Sequence, residues 1–177
     1  IEDYQRGELD FDAYTTFALS AYIGMTRTEI NECMRPFVTK VIEPMINTLA
    51  LKIIHDHGDS GDTILLASAT NELIVQPIAK RLDIQNVIGT QVKFINDKCT
   101  GEYIPPSALG EGKLKLVQQW MQKNNFDDFS GVTFYSDSIN DLPLLEVVDF
   151  PKAVNPDAML EKISLERGWE IIDLPIL

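Results

Sequence analysis

Val132-Thr133-Phe134-Tyr135-Ser136-Asp137-Ser138-Ile139-Asn140-Asp141 changes character halfway along. Val132 to Tyr135 is a short apolar and β-branched run, as in a strand buried on both faces. Five of the next six residues are polar, and they hold two carboxylates four apart. Asp141 to Val147 then reads as a short helix. Asp137 and Asp141 therefore flank a strand-to-helix turn. In open parallel sheets, ligands bind outside the carboxyl ends of the strands. A magnesium ion takes one or two carboxylates there, together with phosphate oxygens and waters. A bare D-x-x-x-D reads more simply as a helix cap and a turn residue. Its place at the end of a buried strand favours the ligand reading.

Two other stretches have the same character. Thr63 to Ala67 is a buried-type strand that ends in Ala67-Ser68-Ala69-Thr70. Ser68 offers a hydroxyl and a backbone N–H to an anion. Gly110-Glu111-Gly112-Lys113 is a loop entering a helix, where N–H groups and an ammonium converge as they do on a phosphate. It is not a P-loop, because G-x-x-x-x-G-K-S/T is absent and Leu114 follows Lys113. Each signal alone also fits a surface lysine or an ordinary strand-end serine. All three fall at the same kind of place.

Working outward, strands and helices alternate after Gly58. Helices are expected over Asn71 to Leu82, Glu111 to Lys123 and Asp157 to Arg167, with strands at Val87 to Val92, Ala153-Val154 and Trp169 to Ile172. Lys93 to Tyr103 reads as a hairpin. This alternation implies an α/β fold with a doubly wound parallel sheet covered on both faces. Residues 1–57 read as helices instead. Asp10 or Asp12 could cap a first helix ending near Tyr22. Thr26 and Glu29 have capping-box spacing for a second helix through about Lys40. A third is expected from about Pro44 to His57, with Gly58 ending it.

The 177 residues carry 15 Lys and Arg against 27 Asp and Glu, a net charge of −12. So acidic a chain repels phosphate backbones and anionic lipid, which argues against nucleic-acid or membrane-surface partners. No apolar run reaches the roughly 20 residues of a spanning helix. The opening Ile1-Glu2-Asp3-Tyr4-Gln5-Arg6 is not a signal peptide, and without Met it is not expected to be the native start. Cys33 and Cys99 lack metal-type spacing and read as free thiols of a reducing cytosol, so the expected location is cytoplasmic.

The residues resemble the haloacid dehalogenase superfamily of phosphatases, in particular the phosphoserine phosphatase-like branch with an inserted helical cap. Ile64-Leu65-Leu66-Ala67-Ser68-Ala69-Thr70 resembles the second motif, Gly110-Glu111-Gly112-Lys113 the third, and Phe134 to Asp141 the fourth, G-D-S-x-x-D, with Ser136 in place of Gly. Ala153-Val154-Asn155-Pro156-Asp157 and the Thr100-Gly101-Glu102 hairpin are similar to the same branch. The resemblance implies a Rossmann-like core over residues 58–177 and a substrate-selecting helical cap over residues 1–57. It implies that Ser68 and the backbone at Ala69 bind the phosphoryl group, with help from Asn140. Lys113 would offset the charge, Asp137 would bind Mg²⁺, and Asp141 would hold the metal's waters or Lys113. The implied substrate is a small phosphorylated metabolite, with phosphoserine and histidinol phosphate equally open.

The family's first motif, D-x-D-x-T/V at the end of a central strand, supplies the nucleophile that becomes an aspartyl phosphate. No apolar strand here precedes such a pattern, so the central strand is expected to be missing from these residues. Asp10-Phe11-Asp12 has the D-x-D form, but Gln5-Arg6-Gly7-Glu8-Leu9 is not a buried strand, and a helix start is the simpler reading. His55 and His57 are two apart and would not share a helix face, which argues against a metal site. Two rival readings remain: a non-catalytic phosphate-binding module, and a fragment completed by a partner. With the central strand missing, the unpaired edges of its neighbours are expected to make the 177-residue chain unstable, aggregated or domain-swapped.

Overall fold

The computed structural model describes residues 10–175. They form two compact units that divide between Ala108 and Leu109. This division does not fall at 57/58.

The first unit begins with α1 (Phe11–Ser20), whose N-cap Asp10 accepts from the backbone N–H of Ala13 at 3.0 Å. The turn containing Gly24 ends it, as expected. Helix α2 (Arg27–Phe37) starts with the expected capping box: Glu29 accepts from Thr26 N at 2.7 Å, and Thr26 Oγ1 accepts from Glu29 N at 3.2 Å. Beyond Pro36 the chain does not run straight to Lys40. It passes into a π-helical stretch, Val38–Ile42, and a 3-10 turn, Glu43–Met45. The third helix is corrected accordingly: α3 is Thr48–Asp59, starting four residues after Pro44. Asn47 caps it by accepting from Leu49 N at 2.9 Å and Ala50 N at 3.2 Å. Gly58 does not end it. The left-handed turn is at Gly61, with φ +83°.

Strand β1 (Leu65–Asn71) begins later than expected and runs through the whole Ser68–Thr70 stretch into α4 (Glu72–Arg81). It pairs in parallel with β2 (Asn86–Thr90), and the register shifts between Ala67 and Asn71. Strands β3 (Val92–Ile95) and β4 (Lys98–Tyr103) form the antiparallel hairpin. Leu19 and Ile30, fully buried, pack with Met34, Leu73, Val92 and Cys99 in one core. Thus α1 and α2 share a core with α4 and the hairpin. Both thiols are free, Cys33 exposed and Cys99 buried.

The second unit holds α5 (Glu111–Lys123), β5 (Thr133–Ser136), a 3-10 turn at Ile139–Asp141, α6 (Leu142–Leu145), β6 (Phe150–Val154), α7 (Ala158–Arg167) and β7 (Glu170–Ile172). Its sheet is parallel, in the order β5-β6-β7. Leu145, Ala153 and Leu160 form its core, flanked by Phe134 and Ile171. The α/β class with parallel sheets is therefore as read from the sequence, while the parallel strands fall in two sheets. Among the described strands β1 pairs only with β2, and β5 only with β6, so each keeps one unpaired edge. No helix among the described residues is long and apolar enough to cross a membrane.

The capping box makes α2 sensitive to pH. Its hydrogen bonds to the Thr26 backbone and side chain, then the nearby Lys98, hold the Glu29 carboxyl below its ordinary value of 4.5. A pKa lowered by folding contributes stability above the unfolded value and loses it as pH falls through the folded one. Glu29→Gln is therefore expected to lower the thermal midpoint at pH 7, and the gap to wild type should close at strongly acidic pH, below the lowered pKa of the carboxyl. Circular-dichroism melts at both pH values check this; a gap that persists in acid contradicts it.

Candidate functional site

Lys113 and Asp141 meet in the second unit although 28 residues separate them. Gly110 starts this arrangement. Its φ of +54° suits glycine, and a Cβ there would approach Asn140 O to 3.7 Å. The chain then turns into α5, and Lys113, in the first turn, points inward with 5% exposure. Its Nζ donates to Asp141 Oδ1. Asp141 Oδ2 accepts from Ser136 Oγ at 2.7 Å, and Ser136 Oγ accepts from Ser138 N at 3.1 Å. Both oxygens of Asp141 are thus occupied by the protein.

The 136–141 turn is tied down by its own side chains and by α7. Ser138 Oγ accepts from Asn140 N and Asn140 Nδ2, both at 3.3 Å. Asp157 Oδ2 accepts from Ile139 N at 2.8 Å, and Asp157 N donates to Asp137 O at 2.8 Å. The other oxygen of Asp157 caps α7, accepting from Met159 N at 3.1 Å and Leu160 N at 2.9 Å. Asp137 is exposed, and its carboxylate has no hydrogen bond or ion pair among the described residues. A hard divalent cation fits this donor set in part. Asp137 offers one free carboxylate, which magnesium can combine with waters and phosphate oxygens. Among the described residues no group of three His, Cys, Asp or Glu side chains could hold a metal. His57 instead lies 2.7 Å from Asp62.

Ser68 and Ala69 lie in the first unit, on the irregular end of β1. Ser68 Oγ accepts from Thr70 N at 3.2 Å, leaving its hydroxyl proton to donate elsewhere. Thr90, fully buried on β2, donates to Ala69 O at 2.7 Å and accepts from Ala108 N at 3.0 Å. Gly89 permits the close approach: a Cβ there would lie 3.0 Å from Thr70 O and 3.2 Å from Glu72 N. Asp10 and Asp12 do not form a D-x-D loop. Asp10 caps α1, and Asp12 accepts from Tyr103 OH at 2.5 Å. That bond, then burial, pushes the Tyr103 phenol above its usual value.

Sequence reasoning placed Ser68, Ala69, Lys113, Asp137, Asn140 and Asp141 on one site; the second unit holds the last four on one turn and the helix start beside it, while Ser68 and Ala69 lie in the first unit. It missed Asp157 and Thr90 as supports. The Asp157 signal was present, as an N-cap aspartate before a helix. Nothing local marks Thr90, whose partner is 21 residues away.

The family model described as haloacid dehalogenase-like hydrolase matches residues 3–146. A histidinol-phosphatase of Neisseria meningitidis serogroup C is 40% identical over 174 residues, covering 97% of this chain and 78% of that protein. The chain spans about half the length of several other relatives. A solved Bordetella pertussis structure, described as a protein of unknown function, has a TM-score of 0.87 at 34% identity over 98% of this chain and 79% of that one. A phosphoserine phosphatase solved as a phospho-aspartyl intermediate analogue has a TM-score of 0.67 over 99% and 78%. At 14% identity that likeness shows the fold alone.

The buried pair yields a stability prediction. Removing one member strands the other charge, so Asp141→Leu and Lys113→Met should each cost about 3–5 kcal/mol. The double variant should cost less than either single one. Urea unfolding of the four proteins measures the coupling; additive losses contradict the pairing.

Proposed function

From the chain's membership of the haloacid dehalogenase-like hydrolase family, we propose that it forms most of a Mg²⁺-dependent phosphomonoesterase acting on a small phosphorylated metabolite. The observation that carries the reading is the Lys113–Asp141 pair, buried beside the exposed Asp137 at the end of a parallel strand. Residues 1–57 serve as the substrate-selecting cap and residues 58–177 as the core.

In this reading Lys113 offsets the charge of the phosphoryl group, and Asp141 keeps the ammonium aimed. In the first unit, the Ser68 hydroxyl and the backbone N–H at Ala69 are proposed as phosphate donors. Thr90 fixes the next peptide by donating to the Ala69 carbonyl. Asn140 contributes a side-chain amide. Fixed donors of this kind stabilise a transition state whose charge spreads over the equatorial oxygens. Asp137 would hold Mg²⁺, which supplies Lewis-acid charge neutralisation at the phosphate.

The nucleophile is proposed to lie outside the described residues, on a strand ending in D-x-D-x-T/V that pairs with a free parallel edge. Asp10 and Asp12 are committed to a helix cap and to Tyr103, which supports this placement. Histidinol phosphate is the first substrate to try, because the relative named for it aligns over nearly the whole chain.

The test is hydrolysis of an aryl phosphate and of histidinol phosphate, with and without Mg²⁺. These 177 residues alone should show no turnover. The full-length gene product should be active, with activity lost on chelation. Asp137→Asn in that protein should lower kcat at least about a hundredfold at saturating Mg²⁺. Mg²⁺-dependent turnover by the 177 residues alone would place the nucleophile within them and make Asp10 and Asp12 the residues to mutate. A full-length protein with no hydrolysis would favour the non-catalytic phosphate-binding module.

A further inference from the structure

Ser136 is the residue at which this chain departs from the G-D-S-x-x-D pattern, and its hydroxyl lies at the centre of the buried network. A hydroxyl has one proton to donate and lone pairs to accept with. The backbone N–H of Ser138 can only donate, and it points at Ser136 Oγ from 3.1 Å. The Ser136 proton is thereby directed to Asp141 Oδ2, 2.7 Å away. Asp141 Oδ1 takes the Lys113 ammonium. The hydrogen bonds have one sense: Ser138 N–H to Ser136, Ser136 to Asp141, and Lys113 to the other oxygen of the same carboxylate. Lys113, Ser136, Ser138 and Asp141 are all more than nine-tenths buried, so water does not substitute freely.

We infer that Ser136 is a positioning residue: its hydroxyl fixes the rotation of the Asp141 carboxylate and so the direction in which Lys113 presents its ammonium. The χ2 torsion of an aspartate is broad, and one partner alone does not define it. Lys113 on one oxygen and Ser136 on the other do. With glycine at position 136, Asp141 Oδ2 and Ser138 N would both lose this partner. Ser136 also keeps Asp141 engaged within the protein, so the exposed Asp137 is the carboxylate left for a cation. The inference rests on the reading of Lys113 as the phosphate-binding cation.

The test uses the full-length gene product with p-nitrophenyl phosphate and saturating Mg²⁺, and compares Ser136→Ala, Ser136→Gly and Ser136→Thr. A hydrogen bond to a charged group sets the scale, so the Ala and Gly variants should lose about tenfold in kcat/KM, mainly in kcat. Threonine keeps the hydroxyl and should restore activity to within about threefold of wild type. The second readout is the ¹⁵N signal of the Lys113 ammonium, assigned by its disappearance in Lys113→Arg. It should be sharp in wild type and the Thr variant, and broadened by fast exchange in Ala and Gly. Unchanged kinetics in both Ala and Gly overturns the inference. So does a loss that follows a fall in thermal midpoint while the ammonium signal stays sharp. If the wild-type protein hydrolyses no phosphate ester, the functional reading fails, and the ammonium signal alone decides the role of Ser136.

Discussion

Taking an ammonium and a carboxylate out of water together is unfavourable unless the geometry satisfies both. That constraint organises the second unit. Lys113 and Asp141 are both buried, so each needs the other in place. Gly110 must turn with positive φ for α5 to begin where it does. β5 must end at Ser136 so that its hydroxyl meets the carboxylate. The following turn must wrap tightly enough to bring Asp141 back, and Ser138 and Asp157 hold it there. Asp157 does so while capping α7, which ties the turn to the sheet through the next helix. The exposed Asp137 lies within this rigid frame, its carboxylate left open to solvent.

The end of β1 follows the same logic with neutral groups. A regular parallel strand would commit every N–H and C=O to its neighbours. The register shift after Ala67 frees some of them at Ser68 to Thr70. Thr90 then takes up the Ala69 carbonyl, and Gly89 leaves room for the Thr70 carbonyl and the start of α4. The Glu72 carboxylate secures the entry to α4, accepting from Val92 N and from Arg27, both at 3.2 Å. Buried side chains thereby compensate the irregular backbone.

What could be read from the sequence divides along the range of the interaction. The Thr26–Glu29 capping box, the Glu111–Lys123 helix and the strand-turn-helix around Asp137 are local patterns, and each matched. The Pro44 helix start failed because Asn47 is a stronger cap once Ile46 is extended. The end at Gly58 failed because the left-handed position falls at Gly61 instead. β1 was placed too early because the polar Ser68-Ala69-Thr70 looks like a loop, while its partner β2 keeps it in the sheet. Ser136 stands where the resembling pattern has glycine, and no local signal marks its role, because its partner carboxylate is fixed only by the folded turn. Thr90 and Asp157 act across 21 and 18 residues, and no local pattern reports that.

The most direct measurement of the central claim is a ³¹P NMR titration of inorganic phosphate into the full-length gene product with Mg²⁺ present. Wild type should bind phosphate. Binding should weaken strongly when Mg²⁺ is removed, and again in Lys113→Met at full Mg²⁺. Phosphate binding that survives both changes would contradict the account, and would mean that the buried lysine and the exposed Asp137 form a structural knot rather than a phosphate site.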